Sequence, residues 1–295
     1  GNIRTMPMTT SYSHCQLIAD SGSTKTDWAL LAGETLVCQC QTQGINPFHQ
    51  SAEVIDRVLR EELLPSLPAE ATVGQVAFYG SGLRPELQPM MRQLLMSAFL
   101  HADVQADGDL LGAARAVCGR AEGIACILGT GANSGLYDGQ NIVMNTPPLG
   151  YILGDEGSGA VLGRQFLNLI FKESAQSALR EAFLSEFHLT MADVIDRVYR
   201  QPLANRWLAS LSPFIHRNLD RDGVRSMVID NFRQFFRRNL TAYQRQDLPV
   251  GFVGSMAFYY CSELKVAAEA EGYCVGTVLK SPLEGLIAYH QAENF

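Results

Sequence analysis

Three apolar segments of this chain each run into a short turn that is rich in glycine and hydroxyl residues. The first extends from Cys15 to Gly33, the second from Gly123 to Gly139, and the third from Val250 to Ser255. An apolar run that ends in such a turn is typical of a strand, and in the first two segments a second apolar run follows the turn. The chain therefore begins with a strand, a tight turn and another strand, and it repeats this pattern about a hundred residues later.

The two longer segments also agree in the position of a glycine. When Asp20 is aligned with Gly129, Gly22 falls on Gly131, so each segment has a glycine two residues after the aligned position. An internal duplication explains this agreement, although so few positions can also agree by coincidence. At roughly 150 residues per domain, the 295 residues suggest two domains, and one large domain is also allowed.

The segments between the glycine junctions contain further helices and strands. Apolar residues at helical spacing predict helices from Phe48 to Leu64 and from Leu87 to Leu100, and Val73 to Tyr79 has the pattern of a strand. A long helical tract begins at Ala160, and residues 176–245 are mostly helical in pattern. The predicted fold class is therefore α/β.

Composition excludes several classes of protein. Hydrophobic residues make up 47% and charged residues 18%, which is the balance of a globular chain and not of a disordered one. A net charge of −7 leaves no general excess of Lys or Arg to neutralise a phosphate backbone, so we expect no nucleic-acid partner. No run reaches the ~18 apolar residues of a membrane helix, and we expect a cytoplasmic protein without a membrane partner. The seven scattered cysteines predict neither a disulfide framework nor a zinc site.

The glycine junctions suit a phosphate ligand. Glycine lets backbone N–H groups approach a ligand closely, hydroxyl side chains add donors, and Lys25 could add a positive charge. The carboxylate of Asp20 would repel a bare phosphate, so its place beside the first turn makes most sense if Mg²⁺ mediates between them. Asp20 therefore predicts a metal-nucleotide ligand, whereas any single junction taken alone can be a simple hairpin turn.

Two common nucleotide motifs are absent from these junctions. The GxxxxGK[ST] phosphate loop needs a glycine directly before its lysine, and Lys25 follows a threonine. The GxGxxG dinucleotide motif fails at the second junction, where Ser134 occupies the place of the third glycine. A nucleotide site in this chain is therefore of another type.

Six short motifs follow one another along nearly the whole chain. They are ADSGSTKTDWALL, GINP, DGDLLGAARA, ILGTGANS, LGDEGSG and VGS. In this order they resemble the N-acetylglucosamine kinase and BadF/BadG/BcrA/BcrD ATPase family, a part of the actin, sugar-kinase and Hsp70 superfamily. The resemblance implies two actin-like (ribonuclease H-like) domains with a nucleotide cleft between them. It assigns residues 11–118 and the C-terminal helix 284–295 to the first domain, and residues 119–283 to the second.

Residue by residue, the resemblance implies contacts with nucleotide, metal and sugar. The nucleotide would contact Asp20, Gly22, Ser23, Thr24, Lys25 and Thr26 in one loop, Gly129, Thr130 and Gly131 in a second loop, and Gly254 and Ser255 in an adenosine segment. The sugar would contact Asn46, Ser81, Gly82, Asp109, Thr130, Gly150 and Asp155. Asp20 would lie near Mg²⁺, and Asp109 would be the catalytic general base.

Each of the polar candidates also has an ordinary structural interpretation. Asp109 and Asp155 could cap the helices that follow them, and Asn46 could initiate the turn before a proline. Lys25 fits a solvated side chain better than a phosphate ligand. Asp107 competes with Asp109 for the role of base, and the glycine three residues after Asp109 favours the latter.

One departure from the family pattern lies in the first loop. Ser21 and Ser23 stand where the family usually has glycine. Serine is strained at positive φ, so either the loop keeps φ negative at both positions or nucleotide affinity is reduced.

The resemblance implies an ATP- and Mg²⁺-dependent kinase that phosphorylates the 6-hydroxyl of N-acetylglucosamine or a close N-acetylated amino sugar. The resemblance also favours a homodimer. Two alternatives stay open: an ATPase that activates a partner enzyme of the dehydratase type, and a sugar or nucleotide sensor without turnover. Sugar-dependent turnover would exclude the sensor.

Overall fold

A computed structural model describes residues 12–294 of the chain. The fold is α/β and consists of two compact units. One unit holds the described residues up to Ala116 together with those from Pro282 onward, and the other holds Val117–Ser281. Each unit is built around one five-stranded sheet.

The sheet of the first unit has the strand order β3-β2-β1-β4-β5. Its strands are β1 (Cys15–Ser21), β2 (Lys25–Ala32), β3 (Thr35–Gln43), β4 (Val73–Gly80) and β5 (Asp103–Gly108). The first three are antiparallel neighbours, whereas β1, β4 and β5 run parallel. The carboxyl ends of these three parallel strands therefore meet at one edge of the sheet.

Four helices belong mainly to the first unit. They are α1 (Ala52–Val58), α2 (Gln88–Ala98), α3 (Asp109–Cys118) and α4 (Leu283–Gln291), the last of which comes from the end of the chain. A π-helical turn (Leu59–Leu63) and a 3₁₀ turn (Leu64–Ser66) extend α1, and further 3₁₀ turns lie at Pro85–Leu87 and Ala292–Asn294. Buried β1 side chains reach both faces of the sheet: Leu17 packs in the core that contains α1 and α2, and Ile18 packs against α4.

The sheet of the second unit has the order β10-β9-β6-β7-β8. Its strands are β6 (Gly123–Leu128), β7 (Ala132–Tyr137), β8 (Ile142–Met144), β9 (Pro249–Val253) and β10 (Cys274–Leu279). Nine helices accompany it: α5 (Gly150–Leu153), α6 (Gly159–Lys172), α7 (Ser177–Phe187), α8 (Met191–Tyr199), α9 (Ala204–Ala209), α10 (Ser212–Arg217), α11 (Val224–Phe235), α12 (Ser255–Tyr259) and α13 (Cys261–Glu271). Single helical turns lie at Ser174–Gln176, Phe236–Leu240 and Thr241–Tyr243.

The two sheets confirm the internal repeat at the level of topology. In each, an antiparallel three-stranded meander is followed by two parallel strands. In the first sheet β4 pairs with β1 and β5 pairs with β4, and in the second β9 pairs with β6 and β10 pairs with β9. The two aligned glycine junctions lie in the same place in each sheet, between the first and second strands.

Several elements differ from the sequence-based expectation. The helix expected from Phe48 begins only at Ala52, because the Ser51 hydroxyl accepts a hydrogen bond from the Val54 amide and caps it. Strands β3 and β10 were not predicted, since both alternate apolar with polar or small residues and lack a long apolar run. No helix in the described part of the chain is long and apolar enough to cross a membrane.

Candidate functional site

The candidate catalytic residues of the first unit lie at the carboxyl ends of its parallel strands. Ser21 pairs with Gly80, and Gly80 pairs with Gly108, so β1, β4 and β5 end in one row. The Ser81 amide extends this pairing by donating to the Ser21 carbonyl at 2.9 Å. Asp109 follows β5 directly. The topology therefore brings together residues from three distant parts of the sequence.

Asp109 is the first residue of α3, and its carboxylate is held from two sides. Ser81 Oγ donates a hydrogen bond to Asp109 Oδ2 at 3.2 Å, and the Leu110 amide donates another. Burial raises the pKa of Asp109, and these two hydrogen bonds oppose that rise. A carboxylate whose pKa is raised while its position is fixed is suited to accept a proton.

The rival carboxylate, Asp107, has different surroundings. It sits in β5 opposite Tyr79, and its pKa is raised by burial and lowered by the charges of Arg115 and Arg92. Asp109, by contrast, bonds to Ser81 in the loop that follows β4. The structure therefore places Asp109 beside a predicted sugar-binding residue and Asp107 beside arginines.

Asp20 lies at the end of β1 among like charges. Burial, and to a smaller extent the nearby carboxylates of Asp27 and Asp109, raise its pKa to about 7 against the opposing charge of Lys25. A divalent cation beside Asp20 would relieve this repulsion. Among the described residues no group of three His, Cys, Asp or Glu side chains could hold a metal. Asp20 alone fits Mg²⁺, which takes one or two carboxylates and completes its shell with water and substrate phosphates.

The first glycine loop is ordered without strain at its serines. Neither Ser21 nor Ser23 has positive φ, so the loop keeps φ negative where the family usually has glycine. Ser21 Oγ donates to the Ile45 carbonyl at 2.7 Å and lies 2.8 Å from Thr26 Oγ1. The side chains of Ser21 and Thr26 are fully buried, so the Thr26 hydroxyl supports the loop from inside and is closed to a ligand. Lys25 is exposed and 3.6 Å from the Asp27 carboxylate.

The GINP segment packs directly on this loop. A Cβ at Gly44 would lie 2.5 Å from the carbonyl oxygens of both Gly22 and Ser23, so only glycine fits there. Gln50 then fixes the segment from the other side: its amide donates to the Gly44 carbonyl at 3.0 Å, and its oxygen accepts from the Asn46 amide at 2.8 Å. Gln50 was not singled out in the sequence, because it lies outside the motif.

Asn46 and Gly82 meet across the site. A Cβ at Gly82 would lie 2.1 Å from Asn46 Oδ1, and the φ of Gly82 is +71°. The same Asn46 oxygen accepts a hydrogen bond from the Phe48 amide at 3.0 Å, which is the turn-forming role considered for it. Asn46 therefore stabilises a turn and also borders the loop that carries Ser81.

The second glycine loop, in the other unit, is joined to the start of α6. The carbonyl oxygens of Gly129 and Thr130 accept hydrogen bonds from the Gly159 and Ala160 amides at 2.7 and 3.2 Å. Ser158 caps α6 by accepting from the Val161 amide. Thr130 is the exposed residue of this loop, and it lies beside the N-terminus of α6, whose first amides are bonded to the loop carbonyls and to Ser158.

A pocket of about 200 Å³ opens beside this loop. It is lined by Gly129, Thr130, Gly159, Arg206, Ala209, Ser210, Ser212, Ser255 and Met256. The structure thus brings the second glycine loop and Ser255 of the predicted adenosine segment to one cavity. Arg206, Ser210 and Ser212 were missed by the sequence analysis, because they lie in or beside short helices far from any glycine junction.

Gly254 explains how these two segments come together. A Cβ at Gly254 would lie 2.1 Å from the carbonyl oxygen of Leu128, the residue before Gly129, and the φ of Gly254 is +121°. Glycine is therefore required at this position on both grounds.

Asp155 borders the second glycine loop. The place of a Cβ on Gly131 is 3.3 Å from Asp155 Oδ2, and the Ala132 amide donates to its carboxylate. Burial raises the pKa of Asp155 to about 6, the Ala132 amide opposes that rise, and the Glu156 charge adds to it. The residue that caps α6 is Ser158, not Asp155. Gly150, with φ +77°, begins the short helix α5 that leads into Asp155.

The predicted sugar-binding residues thus form two groups. Asn46, Ser81, Gly82 and Asp109 lie together in the first unit, and Thr130, Gly150 and Asp155 belong to the second.

Solved structures similar to this chain include two proteins described as candidate N-acetylglucosamine kinases. The one from Porphyromonas gingivalis has 49% sequence identity and a TM-score of 0.87, with 95% of this chain and 99% of that chain covered. The one from Chromobacterium violaceum has 18% identity and a TM-score of 0.72, with 94% and 99% covered. A ROK hexokinase from Thermus thermophilus shares the fold at 14% identity and a TM-score of 0.52, with 95% and 100% covered.

No protein-family model matches the chain, and no curated protein matches it. The similarity to the Porphyromonas gingivalis protein nevertheless extends over almost all of both chains. The fold is shared with a hexokinase, and both units carry the paired meander and parallel strands described above. The chain therefore belongs to the N-acetylglucosamine kinase and BadF/BadG/BcrA/BcrD ATPase family, with the α/β fold of actin-like ATPases.

Proposed function

We propose that this protein is an ATP-dependent kinase that transfers a phosphoryl group to the 6-hydroxyl of N-acetylglucosamine or a close N-acetylated amino sugar. The observation that carries the proposal is the position of Asp109. Its carboxylate is fixed by Ser81 and by its own helix N-terminus, within the electrostatic influence of Asp20. A base for the sugar hydroxyl and a carboxylate for a metal-bound phosphate are thereby held at one edge of one sheet.

In the proposed reaction Asp109 accepts the proton of the sugar hydroxyl as that oxygen bonds to the γ-phosphorus of ATP, while the bond from this phosphorus to the β,γ-bridging oxygen breaks and ADP leaves. Phosphoryl transfer requires a positioned hydroxyl and neutralised phosphate charge, with little covalent work by the protein. Ser81 holds the Asp109 carboxylate in place, and its hydrogen bond favours the ionised form of that carboxylate. Mg²⁺, when bound beside Asp20, would supply the charge that neutralises the phosphates.

The remaining contacts divide between sugar and nucleotide. Asn46 offers amide donor and acceptor atoms that match neutral sugar hydroxyls, and Asp155 offers a carboxylate acceptor. For the nucleotide we propose the loop from Gly22 to Lys25, the loop from Gly129 to Gly131, and the pocket that includes Ser255. Arg206 in that pocket adds a positive charge suited to phosphate oxygens.

The substrate is tested by ADP release with Mg·ATP and a panel of sugars. We expect turnover with N-acetylglucosamine, N-acetylmannosamine or N-acetylmuramic acid, and much weaker turnover with glucosamine and glucose. 6-Deoxy-N-acetylglucosamine should bind and give no phosphorylated product, since it lacks the acceptor oxygen. ATP hydrolysis that is equally fast without sugar would favour an ATPase that activates a partner, and binding without turnover would favour a sensor.

A further inference from the structure

A chain of hydrogen bonds, buried for most of its length, joins Arg115, Tyr79, His290 and Glu293 in the first unit. We call these four side chains the relay. Arg115 Nη1 donates to Tyr79 Oη at 2.8 Å, and Tyr79 Oη lies 2.8 Å from His290 Nε2. On the other side of the ring, His290 Nδ1 lies 3.0 Å from Glu293 Oε2. Tyr79 and His290 are each 1% exposed, so water cannot substitute for these partners.

The chemistry of the relay fixes the direction of its first hydrogen bond. Arginine can only donate, so the Tyr79 hydroxyl accepts from Arg115 and its single proton is available to His290 Nε2. On the other side of the ring, His290 Nδ1 lies 3.1 Å from Gln16 Nε2 as well as 3.0 Å from Glu293 Oε2, so the donor there follows the tautomer of the histidine. Burial raises the pKa of Tyr79 and keeps the phenol neutral.

The relay holds helix α3, which begins at Asp109. A Cβ at Gly112 would lie 2.8 Å from Tyr79 Cβ, so the helix backbone packs directly against this tyrosine. Arg115, one turn further along, donates to the hydroxyl of the same residue. Two successive turns of α3 are thus fixed to one side chain of β4.

Helix α4 completes the arrangement. It carries His290 in its last turn, and its Gly285 packs on the end of α3: a Cβ there would lie 2.5 Å from the Ala116 carbonyl oxygen. Tyr79 is therefore bonded to α3 through Arg115 and to α4 through His290. The Asp109 carboxylate itself is hydrogen-bonded by Ser81 and by α3 backbone amides, so the relay bears on it through the helix.

We propose that Arg115, Tyr79 and His290 are positioning residues, which set the place of the Asp109 carboxylate by fixing α3 between β4 and α4. This inference rests on the proposed function, because it concerns the base of that reaction. A misplacement of about 1 Å in a reacting group can lower a rate by about 100-fold. Loss of the relay should therefore act on the chemical step, while the contacts of sugar and ATP with the protein remain.

The test compares Tyr79→Phe, Arg115→Met and the double variant with wild type. Tyr79→Phe keeps the ring against which Gly112 packs and removes only the hydroxyl. Tyr243→Phe is the matched control: this tyrosine is also buried, and its hydroxyl lies 2.8 Å from Ser134 Oγ and accepts from the Thr146 amide at 2.9 Å in the second unit, away from α3. We expect kcat to fall about 10-fold or more in both single variants, with the KM values of sugar and ATP within about twofold of wild type. The control should keep its kcat.

The double variant shows whether Tyr79 and Arg115 act through the one hydrogen bond between them or through two independent contacts. Because both substitutions remove the Arg115–Tyr79 hydrogen bond, the double variant should be little slower than the slower single variant. A fully additive loss, or single variants that lose melting temperature as the control does while kcat stays at the wild-type value, would overturn the proposal.

Hydrogen exchange gives a readout that does not need kinase activity. In Tyr79→Phe the amides of Leu111 to Ala114 in α3 should exchange faster, while β1 and β2 keep their protection. If wild type phosphorylates no sugar, the proposed function fails, and this measurement still tests the relay. Unchanged exchange in α3, or a uniform increase throughout the first unit, would contradict the positioning role.

Discussion

Gly82 and Asn46 approach each other so closely that any side chain at position 82 would displace the Asn46 amide. A Cβ on Gly82 would lie 2.1 Å from Asn46 Oδ1, and the positive φ of Gly82 adds backbone strain for any side chain. The contact joins the loop after β4 to the GINP segment. Both elements carry residues that we assign to the sugar.

Gly82→Ala should therefore impair sugar binding. Asn46 must move to admit the methyl group, so we expect the sugar KM to rise about 10-fold or more while the ATP KM changes little. Gly33→Ala is the matched control, because Gly33 has a similar φ of +60° and no atom within 4 Å of its Cβ position. The control reports the cost of backbone strain alone. Equal kinetic effects in both variants would contradict the assignment of Asn46.

Ser81→Ala should shift the pH dependence of the reaction. The Ser81 hydrogen bond favours the ionised form of Asp109, so its removal should raise the pKa of that carboxylate. The acidic limb of the kcat/KM profile should then move to higher pH, and kcat should also fall. Ser81→Thr, which keeps a hydroxyl, should restore the wild-type limb. An unchanged limb in Ser81→Ala would show that the titrating group is not Asp109.

The stability of the ligand-free protein should depend on pH through Asp20. Its pKa in the folded chain is about 7, well above the about 3.9 of an unfolded aspartate. Between these two values the folded chain holds a proton that the unfolded chain has released, so the free energy of unfolding falls as pH rises. Asp20→Asn should remove part of this slope and stabilise the ligand-free protein at pH 7.5.

Asp138→Asn provides the opposite sign in the same measurement. Backbone amides of Asn141 and Gln140 lower the pKa of the exposed Asp138 carboxyl. Its contribution is present above the unfolded pKa and lost as pH falls. Denaturant unfolding at pH 5 and pH 7.5 checks Asp20→Asn, and a further measurement at about pH 3, below the unfolded pKa of about 3.9, checks Asp138→Asn. An Asp20→Asn variant that is less stable than wild type at pH 7.5 would contradict the repulsion that we infer around Asp20.

Arg206→Ala should weaken nucleotide binding selectively. Arg206 is exposed in the pocket that contains Thr130 and Ser255, where its charge is available to phosphate oxygens. We expect the ATP KM to rise about 10-fold to 150-fold, since a charge-assisted hydrogen bond contributes about 1.5–3 kcal/mol, and the sugar KM to stay near wild type. Arg200→Ala, at an exposed arginine outside the pocket, is the control. A rise in both variants would indicate a general charge effect.

The sequence predicted the α/β fold class correctly but not every strand, and it indicated the candidate site residues through local motifs. Asp20, Asn46 and Asp109 were accessible because each lies in a short motif at a strand end, where local chemistry and topology coincide. Strand β3 was not, because its run TLVCQCQTQ alternates polar and apolar residues and lacks the continuous apolar signal of β1.

Contacts between residues far apart in the chain could not be predicted from the sequence either. The hydrogen bond between Tyr79 and His290 joins residues 211 positions apart, and no local pattern indicates it. No local pattern indicates the position of Arg206 either, since the packing of short helices brings it to the pocket. Ser21 shows the reverse case: its hydroxyl is a buried support for Ile45, although its place in a glycine loop favours a phosphate contact.

The proposed kinase function depends most on Asp109 as the general base. Sugar-dependent ADP release by the Asp109→Asn and Asp107→Asn variants tests this role directly. The two carboxylates lie two residues apart, and only Asp109 is bonded to Ser81. We predict that Asp109→Asn lowers kcat by about 10²-fold to 10⁴-fold with little change in the sugar KM, whereas Asp107→Asn retains most activity. Sugar-dependent turnover that survives in Asp109→Asn and collapses in Asp107→Asn would contradict the account.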